Sequence, residues 1–109
     1  MKKKPFIFRT NRGIRYELFL KKPPKCYQAV GLCYDPTEDS PKILVNPNQT
    51  ERRLMNTIVH EMTHAFFWGA SEERVTKFAN TVERYLYKEG WVKSPEQAAK
   101  KGSRKKRGK

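Results

Sequence analysis

The sequence predicts an α+β fold: a small twisted sheet of three or four strands packed on two antiparallel helices. Three observations carry this. Apolar residues in the first half recur with period two, those in the second half recur at helical spacing, and Pro47 separates the two regimes. Ile14, Tyr16, Leu18 and Leu20 alternate with Arg15, Glu17 and Phe19, the pattern of a half-buried strand. Phe6-Ile7-Phe8 forms a short strand before it, with Asn11-Arg12-Gly13 as the turn between them. Pro23 and Pro24 end the run, because proline cannot donate to a ladder. Segments 29–34 and 42–46 are two further short strands, parted by the turn-forming stretch from Asp35 through Pro36 to Pro41.

The helices follow. Asn48 and Glu51 match a capping box just after Pro47, with Thr50 as the alternative cap. Met55, Ile58, Val59, Met62, Ala65 and Phe66 then make one helical stripe that runs out at Gly69. A second helix is expected from Ser71 to Glu89, halted by Gly90, with Val75, Phe78, Ala79, Val82 and Leu86 on its buried face. Ser94 and Pro95 suit the start of one more turn.

At 109 residues the chain makes one domain, placed at 1–92, with a basic tail at 93–109. The tail contains no apolar residue from Lys100 onward and is expected to be disordered. No apolar run approaches the roughly 20 residues of a membrane span. The basic start is followed by only three apolar residues before Arg9, too few for a secretory signal, so a cytoplasmic setting is expected. Cys26 and Cys33 are spaced too widely for a C-x-x-C pair and read as reduced, partly buried thiols.

Eight of the 24 Lys/Arg but one of the eleven acids fall in 93–109, which gives that segment +7 of the net +13. Lys100, Lys101, Arg104, Lys105, Lys106, Arg107 and Lys109 would touch nucleic-acid phosphates without sequence preference. A merely solubilising tail is an equal reading. With no aromatic residue among these positions, base stacking is not expected there.

The chemistry concentrates at His60-Glu61-Met62-Thr63-His64, an H-E-x-x-H pattern inside a helix predicted on other grounds. Histidines four apart project from one helical face, so both imidazoles can reach one ion. Glu61 stands beside them, where it can take a proton from a water held by that ion. Both histidines of the chain lie in this motif. A catalytic Zn2+ needs a third protein ligand and an open fourth position, and with no histidine left the ligand is a carboxylate. Glu72 and Glu73 both follow the Gly69 turn, where a returning helix would bring them back to His64. Glu72 shares the phase of Val75 and Ala79 and is the expected ligand. Glu73 shares the phase of Thr76, Lys77, Asn80 and Arg84 and is the alternative.

His60-Glu-Met-Thr-His-Ala65 followed by Glu72-Glu-Arg-Val-Thr-Lys-Phe-Ala79 resembles the gluzincin branch of zinc metallopeptidases. The resemblance is nearest to the very small, often phage-encoded metallopeptidases related to the ImmA and SprT-like groups, and covers about residues 28–88. It implies a minimal zincin-like fold, Zn2+ held by His60, His64 and Glu72, and peptide-bond hydrolysis with Glu61 as general base. In larger, thermolysin-like relatives the ligand glutamate precedes a Phe by six residues, as Glu72 precedes Phe78. Thr76 stands where an acid supporting a ligand is expected. The resemblance also implies a strand that pairs with an extended substrate, assigned to 43–45.

Tyr34, Arg84, Tyr85 and Tyr87 are open candidates for stabilising an oxyanion. Phe66 and Trp68 are expected in the core, with a cleft wall as the other role for Trp68. The implied partner is a protein or peptide, with nucleic acid as a second partner through the tail and no membrane. The chain is expected to act as a monomer, in a cytoplasm or in a host's if phage-encoded. The competing reading is a nucleic-acid-associated basic binding protein whose zinc site is structural or vestigial.

Overall fold

The structure, a computed structural model, describes residues 4–24 and 29–92. Cys26, Ser94, Pro95 and the basic residues from Lys100 to the end lie outside the described residues.

Four strands and two helices follow in chain order: β1 (Phe6–Arg9), β2 (Arg15–Phe19), β3 (Gly31–Cys33), β4 (Lys42–Val45), α1 (Glu51–Phe66) and α2 (Glu72–Lys88). The β1–β2 hairpin closes on Gly13, whose φ of +80° is open to glycine without strain. The sheet order is β1-β2-β4-β3. β4 pairs parallel with β2, aligning Leu18 with Ile43, and antiparallel with β3, aligning Leu32 with Leu44. The result is a mixed sheet on which α1 packs, with α2 returning along α1.

Alternation in β2 sends Tyr16 and Leu18 inward, where they meet Ile43, Val45 and Ala65. Leu54, Ile58 and Met62 of α1 close over this cluster. The buried Tyr16 hydroxyl is satisfied by donating to the Tyr34 carbonyl at 2.8 Å. Leu20 continues the sequence alternation but lies past the end of β2 and is exposed.

Thr50, not Asn48, caps α1: its extended backbone lets the hydroxyl accept from Arg53 N–H at 3.2 Å. Asn48 instead donates its backbone N–H to Asn46 Oδ1. α1 ends at Phe66, short of Gly69, because Phe67 leaves helical geometry (φ −129°, ψ 66°). Ser71 caps α2 through Arg74 N–H, and Gly90 (φ +84°) ends it as expected. Val75 and Ala79 are buried, Val82 and Leu86 half-buried. Phe78 departs from its expected place: it is 53% exposed. Among the described residues α2 packs chiefly on α1, and Phe78 is not covered by a second layer.

Candidate metal centre

Positions 52, 56, 60 and 64 recur every fourth residue on α1, which stacks Arg52, Asn56, His60 and His64 along one face. α2 answers each in antiparallel order. Glu83 pairs with Arg52, Asn56 donates to Glu83 Oε1 at 2.7 Å and to Asn80 Oδ1 at 2.9 Å, and Glu72 meets both histidines. This polar ladder sets the register of the helix pair. Tyr87 caps its far end, with the Arg52 guanidinium 3.9 Å above the ring centroid.

At the other end, His60 Nε2 lies 2.8 Å from Glu72 Oε2 and His64 Nε2 lies 3.0 Å from Glu72 Oε1. One ligand atom from each residue falls within 4.8 Å of the others. Ligands about 2.0–2.1 Å from a tetrahedral ion stand about 3.3 Å apart, and small side-chain adjustments would let this N2O set hold a zinc-sized cation. His60 and His64 are half-buried, while Glu72 is 72% exposed. Its phase brings the carboxylate to both histidines, but as a first-turn residue at the rim Glu72 is exposed and does not share the burial of Val75 and Ala79. Glu73 is exposed and is not part of the group.

Glu61 takes the opposite flank of α1, under β3. Burial, and then the nearby Glu72 charge, push its carboxyl up to about 7. A proton acceptor poised near neutrality is what general-base chemistry uses. The approach of β3 to Glu61 is close because residue 31 is glycine: an added Cβ would meet Thr57 Cγ2 at 2.7 Å. A glycine inside an apolar strand is the sequence signal for such an approach, and Gly31 carries it. The half-buried Cys33 next along is a free thiol, pushed up to about 12 chiefly by burial.

The strand expected to pair with substrate needs correction. Residues 43–45 lie in β4, which is hydrogen-bonded on both sides and has no open edge. Among the described residues β3 is the edge strand beside α1. Asn46 N–H donates to Val30 C=O and Tyr34 N–H to Lys42 C=O, so Val30, Leu32 and Tyr34 face β4. By alternation, Gly31 and Cys33 turn their N–H and C=O groups to the open side.

Two cavities flank the metal group. One of about 580 Å³ extends toward Asn56 and Asn80; one of about 280 Å³ extends toward Leu32 and Trp68. Trp68 therefore lines the cleft and is not core, whereas Phe66 is half-buried and stacks on Phe8. Tyr34, Arg84, Tyr85 and Tyr87 line neither cavity. The larger cavity's Arg53, Asn56 and Asn80 were not singled out from sequence; the four-residue recurrence through Asn56 is the signal that points there.

No protein-family model, curated protein or solved structure matches the chain. Among the described residues no helix is long and apolar enough to cross a membrane.

Proposed function

We propose that the chain is a zinc-dependent peptidase with Glu61 as general base. The observation that carries this reading is the convergence of His60 Nε2, His64 Nε2 and the Glu72 carboxylate beside a half-buried Glu61, in a cleft bordered by an open strand edge. Zinc held by His60, His64 and Glu72 would supply Lewis acidity to a substrate carbonyl and bring a water into the nucleophilic range near pH 7. Glu61 takes the proton of the attacking water and passes it to the leaving amine. The open groups of Gly31 and Cys33 hold an extended peptide by strand addition. The edge strand, the H-E-x-x-H helix beside it and the returning ligand helix agree with the zincin-like arrangement that the motif's resemblance implies. A protein or peptide substrate and a cytoplasmic setting belong to the same proposal.

The test is proteolysis by the full chain after zinc reconstitution, compared with Glu61→Gln. Cleavage by the wild type and none by Glu61→Gln at equal zinc content supports it. Stoichiometric zinc with no cleavage of any protein or peptide mixture overturns it.

The charge gathered in 93–109 favours a second reading, a basic nucleic-acid-associated protein whose zinc is structural. It expects DNA or RNA binding that weakens steeply with salt and is indifferent to Glu61→Gln.

A further inference from the structure

The two cavities beside the metal group differ in chemistry. Gly31, His60, Glu61 and Glu72 border both. Leu32, Cys33 and Trp68 close the smaller one, an apolar and aromatic wall. Gln49, Arg53, Asn56, Thr57, Asn80 and Glu83 give the larger one a polar wall, with Ala29 and Val30 apolar at its β3 end.

Which polar groups remain open decides what the larger cavity can hold. Gln49 donates to the Asn46 carbonyl at 2.7 Å, and its Oε1, 3.2 Å from the Thr57 hydroxyl, shares that group's single proton with the Arg53 carbonyl at 3.0 Å. Glu83 is engaged by Arg52 and Asn56. A carboxylate only accepts, so Asn56 must turn its amide nitrogen toward Glu83. That same nitrogen reaches the Asn80 side chain, which must therefore present its oxygen. The Asn80 NH2 is left over. Among the described residues, neither that NH2 nor the Arg53 guanidinium has a hydrogen-bond or ion-pair partner. Both open groups are donors, and one is a permanent cation. Three carboxylates border the larger cavity: Glu83 is neutralised by Arg52, Glu72 faces the two imidazoles, and Glu61 lies at the boundary shared with the smaller cavity.

We propose that the larger cavity is a specificity subsite for a carboxylate-bearing side chain, aspartate or glutamate, on the carboxyl side of the scissile bond. The inference rests on the peptidase reading above and adds its substrate class. Direction follows from β3. The larger cavity lies at its Ala29–Gly31 end and the smaller at its Cys33 end. A peptide paired antiparallel, the commoner orientation, runs from the Cys33 end to the Gly31 end. Residues before the cleaved bond then meet Leu32 and Trp68, and residues after it meet Arg53 and Asn80.

The zinc-loaded full chain is given a diverse peptide mixture, and cleaved bonds are read by mass spectrometry. Asp or Glu is expected over Lys or Arg by about tenfold within two positions after the cut, since one charge-assisted hydrogen bond is worth that much. An apolar or aromatic residue is expected before it. Arg53 is exposed, so Arg53→Glu should fold, as checked by circular dichroism, and should invert the charge preference. Cleavage with no charge preference, or with one that Arg53→Glu leaves unmoved, overturns the subsite and leaves the peptidase reading standing. Absence of all cleavage overturns both. A second readout is independent of turnover: zinc-loaded Glu61→Gln should bind a fluorescent peptide with Glu after the uncleaved bond about tenfold tighter than its Lys counterpart. Equal affinities overturn the subsite.

Discussion

Gly31 of β3 lies directly against Glu61 of α1: a Cβ on Gly31 would stand 2.8 Å from Glu61 Oε2 and 2.9 Å from its Cγ. Strand and base share one small volume, and Thr57 closes its third side. Gly31→Ala is therefore expected to displace the Glu61 side chain, because the β-branched Thr57 has little freedom to yield. Peptidase activity should fall at least about tenfold, with a stability cost of about 1–3 kcal/mol from overpacking. Zinc content should be unchanged, since the atoms nearest the added Cβ belong to Thr57 and Glu61 and not to His60, His64 or Glu72. Elemental analysis beside an activity assay separates the two effects.

The ligand assignment predicts that His60→Ala, His64→Ala and Glu72→Ala each lose zinc on dialysis, while Glu73→Ala keeps it. Binding to the folded form alone would stabilise the wild type by about 2.7 kcal/mol at 100 times the Kd. A chelator should remove that increment from the wild type and change none of the three ligand variants. Zinc retained by Glu72→Ala would move the third ligand elsewhere.

The far end of the ladder makes stability depend on pH. Burial opposes ionisation of Glu83, but hydrogen bonds from Arg52 and Asn56, with the charges of Arg52 and Arg53, hold its carboxyl below the usual range. A depressed acid contributes stability above its unfolded pKa of about 4.3 and loses it as pH falls through the folded value. Glu83→Gln should thus lower Tm at pH 7 by about 2–4 °C. The difference should shrink as pH falls below about 4. Thermal melts of both proteins from pH 7 to pH 3 check the sign.

Core and rim should respond differently to truncation. Ile43 is fully buried, and Ile43→Ala is expected to cost about 3 kcal/mol. Phe78→Ala should cost about 0.5 kcal/mol or less, since more than half of that ring is in water. Urea unfolding of the two variants measures the contrast.

Local pattern was legible where one face of an element decides its environment. Period two in β2 and the spacing of Val75 and Ala79 in α2 identified buried residues correctly. H-E-x-x-H together with the phase of Glu72 pointed to three residues, His60, His64 and Glu72, that the fold brings together. Phe78 was misassigned because its phase places it at the border of the buried stripe, and only the number of packed layers decides which side of that border is dry. The pairing strand was misassigned for a different reason. Strand order is a long-range property, and nothing in residues 42–46 announces that β4 enters between β2 and β3. The polar cavity was missed because its polar wall comes mainly from two helices, and a four-residue recurrence on one does not name its partners on the other.

That entry of β4 into the middle of the sheet divides the chain by duty. β1 and β2 join the rest of the sheet along one parallel seam, and every residue that lines the two cavities comes after it, from Ala29 onward. The first hairpin supplies volume to the core through Phe8, Tyr16 and Leu18 and no group to the cleft. Substitutions there are bounded by size and shape, and several repackings should serve equally well. From Gly31 to Glu83 the bound is the position of individual atoms. Two neighbouring halves of one small sheet therefore have different freedoms to vary, and the seam between β2 and β4 is where one kind of constraint gives way to the other.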